Sequence, residues 1–176
     1  MRELKVIIER LEKPISKAEI SATANEIVNA KTDFTQLFDL LIKNNQVAMR
    51  TAWLIENILI PNPKIHKPYF NFLAKAYLKT KSSSVRRNIG KTIAQMEIPE
   101  NWEDELYDFT TKMIVDSNEV VATKVHAMII AANIASKYPE LIPELKETIE
   151  GQFEKNTVAF RAASKRAFKK FKKAGY

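Results

Sequence analysis

The feature that most constrains this chain is a six-residue sequence that occurs three times. VAMRTA begins at Val47, VATKVH at Val121 and VAFRAA at Val158. A more divergent copy begins at Val85, and the four valines are separated by 38, 36 and 37 residues. Repeats of this length are typical of stacked helix pairs, so the spacing predicts one α-hairpin per repeat.

Helical periodicity and capping residues place these copies on helices. Ser16, followed by Glu19 three positions later, predicts a capping box at a helix start, and Pro61 and Pro63 end a later helix. The pattern predicts an all-α protein of about ten helices in five antiparallel pairs. The predicted pairs cover residues 1–30, 32–60, 65–98, 102–137 and 139–173.

The composition is that of an ordered helical domain. Of 176 residues, 45% are hydrophobic, 28% are charged and only three are glycine, and we expect a single domain over residues 1–176. The absence of cysteine excludes disulfides, thiol nucleophiles and cysteine-ligated metal sites. There is no apolar run of about 20 residues and no signal-peptide pattern, so we expect a cytoplasmic protein with no membrane partner.

The net charge of +7 is concentrated at the C-terminal end of the chain. Residues 157–176 contain seven basic and no acidic residues, whereas residues 1–156 contain 21 of each. A terminal repeat has no successor and needs a polar outer face, so the sequence favours a solvated cap over a dedicated polyanion site. The basic residues of this last helix beyond the repeated motif are Lys165, Arg166, Lys169, Lys170, Lys172 and Lys173.

The segment SSSVRRNIGKTI, residues 82–93, resembles the second helix of HEAT and armadillo-like repeats. Val85 and Arg86 stand near its start, and the small Gly90 and apolar Ile93 follow at the offsets expected for that helix. The resemblance implies a right-handed α-α superhelix in which the second helices line a concave inner surface. Such motifs specify a fold and not a function.

Three of the four motif copies have a basic fourth residue, and the divergent copy has Asn88 there with Arg86 and Arg87 beside it, which predicts a row of cations across that inner surface. Equivalent positions on stacked helices lie about 8–10 Å apart, which suits phosphates or an acidic peptide. The alternative is that these cations pair with carboxylates of the next repeat and that the tryptophan is part of the core. The candidate binding residues are Arg50, Trp53, Arg87, Lys91, Lys124 and Arg161.

No catalytic or metal-binding pattern is recognisable. The three glycines cannot form a phosphate-binding loop, and neither His66 nor His126 has a nearby set of ligands. The acids from Glu103 to Asp108 open a predicted helix, where the helix dipole favours them. We therefore expect no catalytic residue, no metal and no cofactor.

The chain is also similar to the HEAT-like alkylpurine DNA glycosylases, which hold DNA against a basic concave face and place an aspartate beside aromatic residues. Basic second helices and Trp53 match part of that arrangement, but the predicted second helices contain glutamates and no matching aspartate. The sequence therefore favours a non-enzymatic scaffold that binds a protein or acidic peptide through its concave face. Nucleic-acid binding is the main alternative, and self-assembly is a third.

Overall fold

The computed structural model describes residues 2–43 and 45–173, and these residues are helical with no β-strand. The all-α fold class is thereby confirmed. Four of the five helix pairs have a short 3₁₀ helix in or before their first member, at Thr35–Leu40, at Pro63–Ile65 and Lys67–Tyr69, at Glu100–Trp102 and at Pro139–Leu141. The α-helices are α1 (Arg2–Glu12), α2 (Lys17–Ala30), α3 (Gln46–Leu59), α4 (Phe70–Lys79), α5 (Ser83–Ile93), α6 (Glu103–Val115), α7 (Val121–Ala135), α8 (Ile142–Glu150) and α9 (Val158–Lys173).

Local capping explains where several helices begin. The Ser16 hydroxyl accepts a hydrogen bond from the Glu19 backbone N–H at 3.2 Å, and the Glu19 carboxylate accepts one from the Ser16 N–H at 2.8 Å. This reciprocal pairing is the capping box predicted from the sequence. The side chain of Asn45 caps α3 in the same way, by accepting from the Ala48 N–H at 2.9 Å.

The first helix of the second pair is a 3₁₀ helix, Thr35–Leu40. Phe34, Leu37, Phe38 and Leu41 are all buried, and this spacing places their side chains on one face of the segment. Phe34 stacks on Tyr69 with ring centroids 4.2 Å apart, and Phe38 stacks on Phe72 at 5.2 Å. These aromatic contacts attach the short helix to the start of α4.

The chain divides into two compact units, Met1–Met96 and Glu97–Tyr176. In the first unit α3 packs against both α2 and α5, and α5 packs against α4. In the second unit α7 packs against α6 and α9, and α8 contacts α6, α7 and α9. The second helices of successive pairs are therefore neighbours within each unit. The single domain expected over residues 1–176 stays a prediction.

Hydrogen bonds between helices reproduce the period of the sequence repeat. Those that join neighbouring repeats connect residues 34 to 39 positions apart. Examples are Ser21 with Asn57 at 3.4 Å and Lys91 with Glu56 at 2.5 Å. Among the described residues, none of the helices is long and apolar enough to cross a membrane.

Candidate binding site

The buried positions of the second helices define their structural register. Each of α3, α5, α7 and α9 has a buried residue that is followed by further buried residues three, four and seven positions later. Positions with this spacing lie on the same face of an α-helix. The buried side chains of each helix therefore form one inward stripe. The residues that begin the stripe are Ala48, Val85, Lys124 and Phe160.

This register differs from an alignment on the repeated valines. Val85 is fully buried and begins its stripe, but Val158 is 72% exposed, and Val47 and Val121 are only half-buried. Val121 and Val158 are the first residues of α7 and α9, so they precede the turns of these helices that pack against their neighbours. Similar letters in the sequence therefore occupy different faces of successive helices.

Arg50 is used within the protein. Its guanidinium donates hydrogen bonds to the backbone carbonyls of Leu11 and Glu12, at 3.0 and 3.1 Å, and to the Gln46 side chain at 2.9 Å. Leu11 and Glu12 are the last residues of α1, where carbonyl groups lack partners inside the helix. Arg50 thus joins α3 to the end of α1, in agreement with the alternative in which the cation locks the stack, although its partners are carbonyls.

Lys91 and Trp53 also lie among protein contacts. The Lys91 ammonium is 2.5 Å from the Glu56 carboxylate, which is only 12% exposed, so this ion pair joins α5 to α3. Trp53 is half-buried on α3. Arg87, in contrast, is exposed, and its one described contact is a 3.4 Å hydrogen bond to the neighbouring Asn88 side chain. Arg87 is the member of the predicted row in this unit that is most accessible to a partner.

In the second unit the predicted row is not maintained. Lys124 is only 4% exposed, because it occupies the inward position that Ala48 holds in α3. Arg161 is half-buried and donates a 3.4 Å hydrogen bond to the Phe153 carbonyl. The position equivalent to Arg50 is His126, which is half-buried. The structure therefore brings Arg50 and Arg87 to matching places on packed helices, but not Lys124 and Arg161.

The solvent-exposed face of α9 carries more exposed cations than any other helix in the part of the chain that the structure describes. Phe160, Ala163, Ala167 and Phe171 are buried and attach this helix to its unit. Lys170 is directed toward α7, where it donates a hydrogen bond to the Asn133 side chain, and burial lowers its pKa. The side chain of Lys173 lies outside the described residues. The remaining predicted cations of this helix are exposed, namely Lys165, Arg166, Lys169 and Lys172.

These four residues, here called the α9 cations, form no ion pair in the described parts of the chain. None of them lies within 4.0 Å of a described aspartate or glutamate oxygen. The acids of the preceding segment, Glu140, Glu144, Glu147, Glu150 and Glu154, are exposed as well. Glu144 faces α6. There, burial raises the pKa of Tyr107, and the negative charge of Glu144 raises it further by a smaller amount. These acids form no direct ion pair with the four cations among the described residues.

A buried acid lies at the start of α6. Glu103 is 2% exposed, and its carboxylate accepts hydrogen bonds from the Lys137 ammonium and, at 2.6 Å, from the Tyr138 hydroxyl. Lys137 also donates to the Ile98 carbonyl at 3.1 Å. Burial raises the pKa of Glu103, but these hydrogen bonds and the Lys137 charge lower it by more, so the net pKa lies below its usual range. From the sequence, Glu103 was interpreted only as a residue favoured by the helix dipole. The cluster was not predicted, although Lys137 and Tyr138 lie 34 and 35 residues after Glu103, which is close to one repeat.

The chemistry available to this arrangement is that of a charged binding surface. In residues 2–43 and 45–173, no group of three or more histidine, cysteine, aspartate or glutamate side chains could hold a metal ion. The ring of His66 is hydrogen-bonded to the Leu59 carbonyl at 2.7 Å. The Glu103 cluster is enclosed and joins helices, so the exposed cations are the groups that can meet a partner.

Comparison with known families agrees with the repeat architecture. A family model described as the HEAT repeat domain matches residues 7–171, from α1 into α9. No curated protein and no solved structure matches the sequence. Because the match covers nearly the whole chain and the structure repeats helix pairs at the same period, the chain belongs to the HEAT repeat family.

Proposed function

We propose that this protein is a non-enzymatic scaffold that binds an acidic segment of a partner protein through the α9 cations. The observation that carries the proposal is that Lys165, Arg166, Lys169 and Lys172 are exposed and have no ion pair with any described acid. Exposed charges of one sign attract an oppositely charged partner and accelerate its association. A HEAT repeat provides a rigid helix on which such charges keep fixed spacing.

The α9 cations are better candidates than the row predicted from the repeated motif. Arg50 would have to give up three hydrogen bonds, Lys91 would have to leave Glu56, and Lys124 is buried. Each of these costs opposes binding, whereas exposed lysine and arginine side chains need only exchange water and counterions. Arg87, which lies in the other compact unit, stays a separate prediction from the sequence.

The concave surface is part of this proposal. Second helices line the inner wall in this family, and α9 is the second helix of the last pair. Its neighbour α7 is also a second helix. The hydrogen bond from Lys170 to Asn133 identifies the edge of α9 that faces α7 as the one that carries Lys170. Binding on the inner wall and a cytoplasmic location stay predictions from the sequence and the family resemblance.

Fluorescence anisotropy tests the proposal directly, with a labelled polyglutamate peptide and a labelled DNA duplex titrated at several salt concentrations. We expect the wild type to bind the peptide at low salt and the variant Arg166→Glu/Lys169→Glu to lose this binding. The matched control is Lys75→Glu/Lys79→Glu, which reverses two exposed lysines on α4. Equal loss in both variants, or no peptide binding at low salt, would contradict the proposal.

The duplex distinguishes an acidic protein from nucleic acid. If four phosphates meet the α9 cations, the logarithm of the affinity falls with the logarithm of the salt concentration with a slope of about −3.6. Tighter binding of duplex than of peptide, with that slope, would replace the acidic protein segment by nucleic acid. The cations that we assign would remain the same.

A further inference from the structure

An open groove runs between α8 and α9, beside the α9 cations. Its volume is about 390 Å³, within the range of about 300–1,000 Å³ typical of ligand pockets. The lining contains an apolar floor and a charged rim, and all of it belongs to the last helix pair. The floor is formed by Ile142, Phe168 and Phe171, and the rim by Pro143, Lys146, Glu150 and Lys172.

The apolar floor is held in place by aromatic contacts. The ring of Phe168 lies 6.3 Å from that of Phe153 and 6.1 Å from that of Phe171, measured between centroids. Phe171 and Ile142 are buried in the unit, whereas Phe168 is only half-buried. Covering Phe168 would remove further apolar surface from water, which favours an occupant with apolar side chains.

The charges around the groove indicate an acidic occupant. Lys146 and Lys172 stand on opposite sides of it, and Glu150 is the single acid of its lining. Arg161 and Lys165 share the stripe of α9 that contains Phe168 and Lys172, since these positions are separated by whole helical turns. With Glu147, which lies one helical turn from Pro143 on the exposed side of α8, the surface around the floor carries four cations and two acids. A second copy related by a two-fold axis would place this positive surface against itself.

We propose that the groove between α8 and α9 binds an amphipathic helix that carries apolar side chains on one face and carboxylates beside them. The apolar face packs on Phe168 and the exposed Pro143, and the carboxylates meet Lys146 and Lys172. Helices that enter apolar grooves use anchor residues at positions i, i+3 or i+4, and i+7. The inference rests on the proposed function, since it specifies which acidic segment the α9 cations recognise.

Selection from a displayed library of peptides of about 16 residues, or roughly four helical turns, tests the inference. The immobilised proteins are the wild type, Phe168→Ser, and Lys146→Glu/Lys172→Glu, each with its urea unfolding midpoint measured. We expect the wild type to enrich acidic peptides with apolar residues at helical spacing. Phe168→Ser should lose the apolar preference, and the double variant should lose the acidic one. Because both rim lysines are exposed, the double variant keeps the test valid if Phe168→Ser does not fold.

The remaining outcomes separate the two proposals. Acidic peptides without apolar spacing, enriched equally by the wild type and Phe168→Ser, would overturn the groove and leave the proposed function standing. Enrichment of peptides that are not acidic would overturn both. Sedimentation of the wild type as a dimer that Phe168→Ser converts to a monomer would show that a second copy fills the groove, which also overturns the inference.

Discussion

The Tyr138 hydroxyl donates a 2.6 Å hydrogen bond to the carboxylate of Glu103, 35 residues earlier in the chain. Glu103 opens α6, and Tyr138 follows the end of α7, so this bond closes the helix pair at one end. Lys137 donates to the other oxygen of the same carboxylate. A buried carboxylate is stable only when its oxygens are paired in this way, and the cluster therefore determines part of the stability of this unit.

Replacing Glu103 with glutamine is expected to lower the free energy of unfolding by about 2 kcal/mol, because hydrogen bonds to a charged group are lost. Urea denaturation followed by circular dichroism measures the change. Glu105→Gln is the matched control, since Glu105 lies in the same turn but is exposed. A loss in the control as large as that in Glu103→Gln would mean that helix-dipole effects, and not the buried cluster, are responsible.

The same carboxylate makes stability depend on acid. The pKa of Glu103 in the folded protein lies below its ordinary value of 4.5, so the unfolded state binds a proton more readily. The stabilisation from Glu103 is thus present above pH 4.5 and is lost as pH falls through the folded pKa. The urea midpoints of the wild type and Glu103→Gln should converge as pH falls below the folded pKa of Glu103. A difference that stays constant on acidification is the contrary result.

Tyr138 gives the opposite dependence in alkali. The hydrogen bond to Glu103, with burial and the nearby negative charge, raises the pKa of Tyr138 from 10.0 to about 12. Because the folded pKa is the higher one, the contribution of this tyrosine is present below pH 10.0 and is lost as pH rises through about 12. Tyrosinate absorbance of the wild type minus that of Tyr138→Phe should show one residue that titrates near this higher value. Titration of that residue near 10.0 would contradict the assignment.

Arg50→Met is expected to lower the free energy of unfolding by about 1–2 kcal/mol, because hydrogen bonds to the end of α1 are lost. Binding of the polyglutamate peptide should remain unchanged. Arg87→Met is the matched control, with an expected stability change within about 0.5 kcal/mol because Arg87 is exposed. Loss of peptide binding in Arg50→Met at unchanged stability would restore Arg50 as a ligand contact.

Lys124→Met is expected to be neutral or stabilising, since methionine fills a similar buried volume without an ammonium group. Lys124→Glu should instead lower the thermal midpoint strongly, because it buries a carboxylate. A charge reversal at this position would therefore abolish binding through unfolding and cannot identify a contact. Strong destabilisation by methionine would indicate that the amine itself is required.

The repeat architecture was predictable from the sequence, because it depends on local periodicity and on caps. The Ser16 capping box follows from two residues three positions apart, and the period near 37 residues follows from the recurrence of a short motif. The 3₁₀ geometry of Thr35–Leu40 was not predicted, because the buried side chains of this segment follow the spacing of an α-helix. The contacts of this segment with both α3 and α4 are visible only in the structure.

The candidate site was less predictable, since it depends on which face each helix buries. Arg50 and Lys124 occupy the same letter of the motif, yet one bonds to α1 and the other begins the buried stripe of α7. A shift of two residues in helical register moves a side chain by about 200° around the helix axis. The cations of α9 were identifiable from the sequence, but their lack of ion pairs with the described acids required the structure.

The most direct test of the account is to map the polyglutamate peptide onto the protein by ¹H–¹⁵N chemical-shift perturbation at low salt. We expect the perturbed amides to cluster in α9, around Arg166 and Lys169, and to return to their free positions at high salt. Perturbations confined to the helices of Arg50 and Lys91, with α9 unaffected, would contradict the central claim that the α9 cations bind the partner.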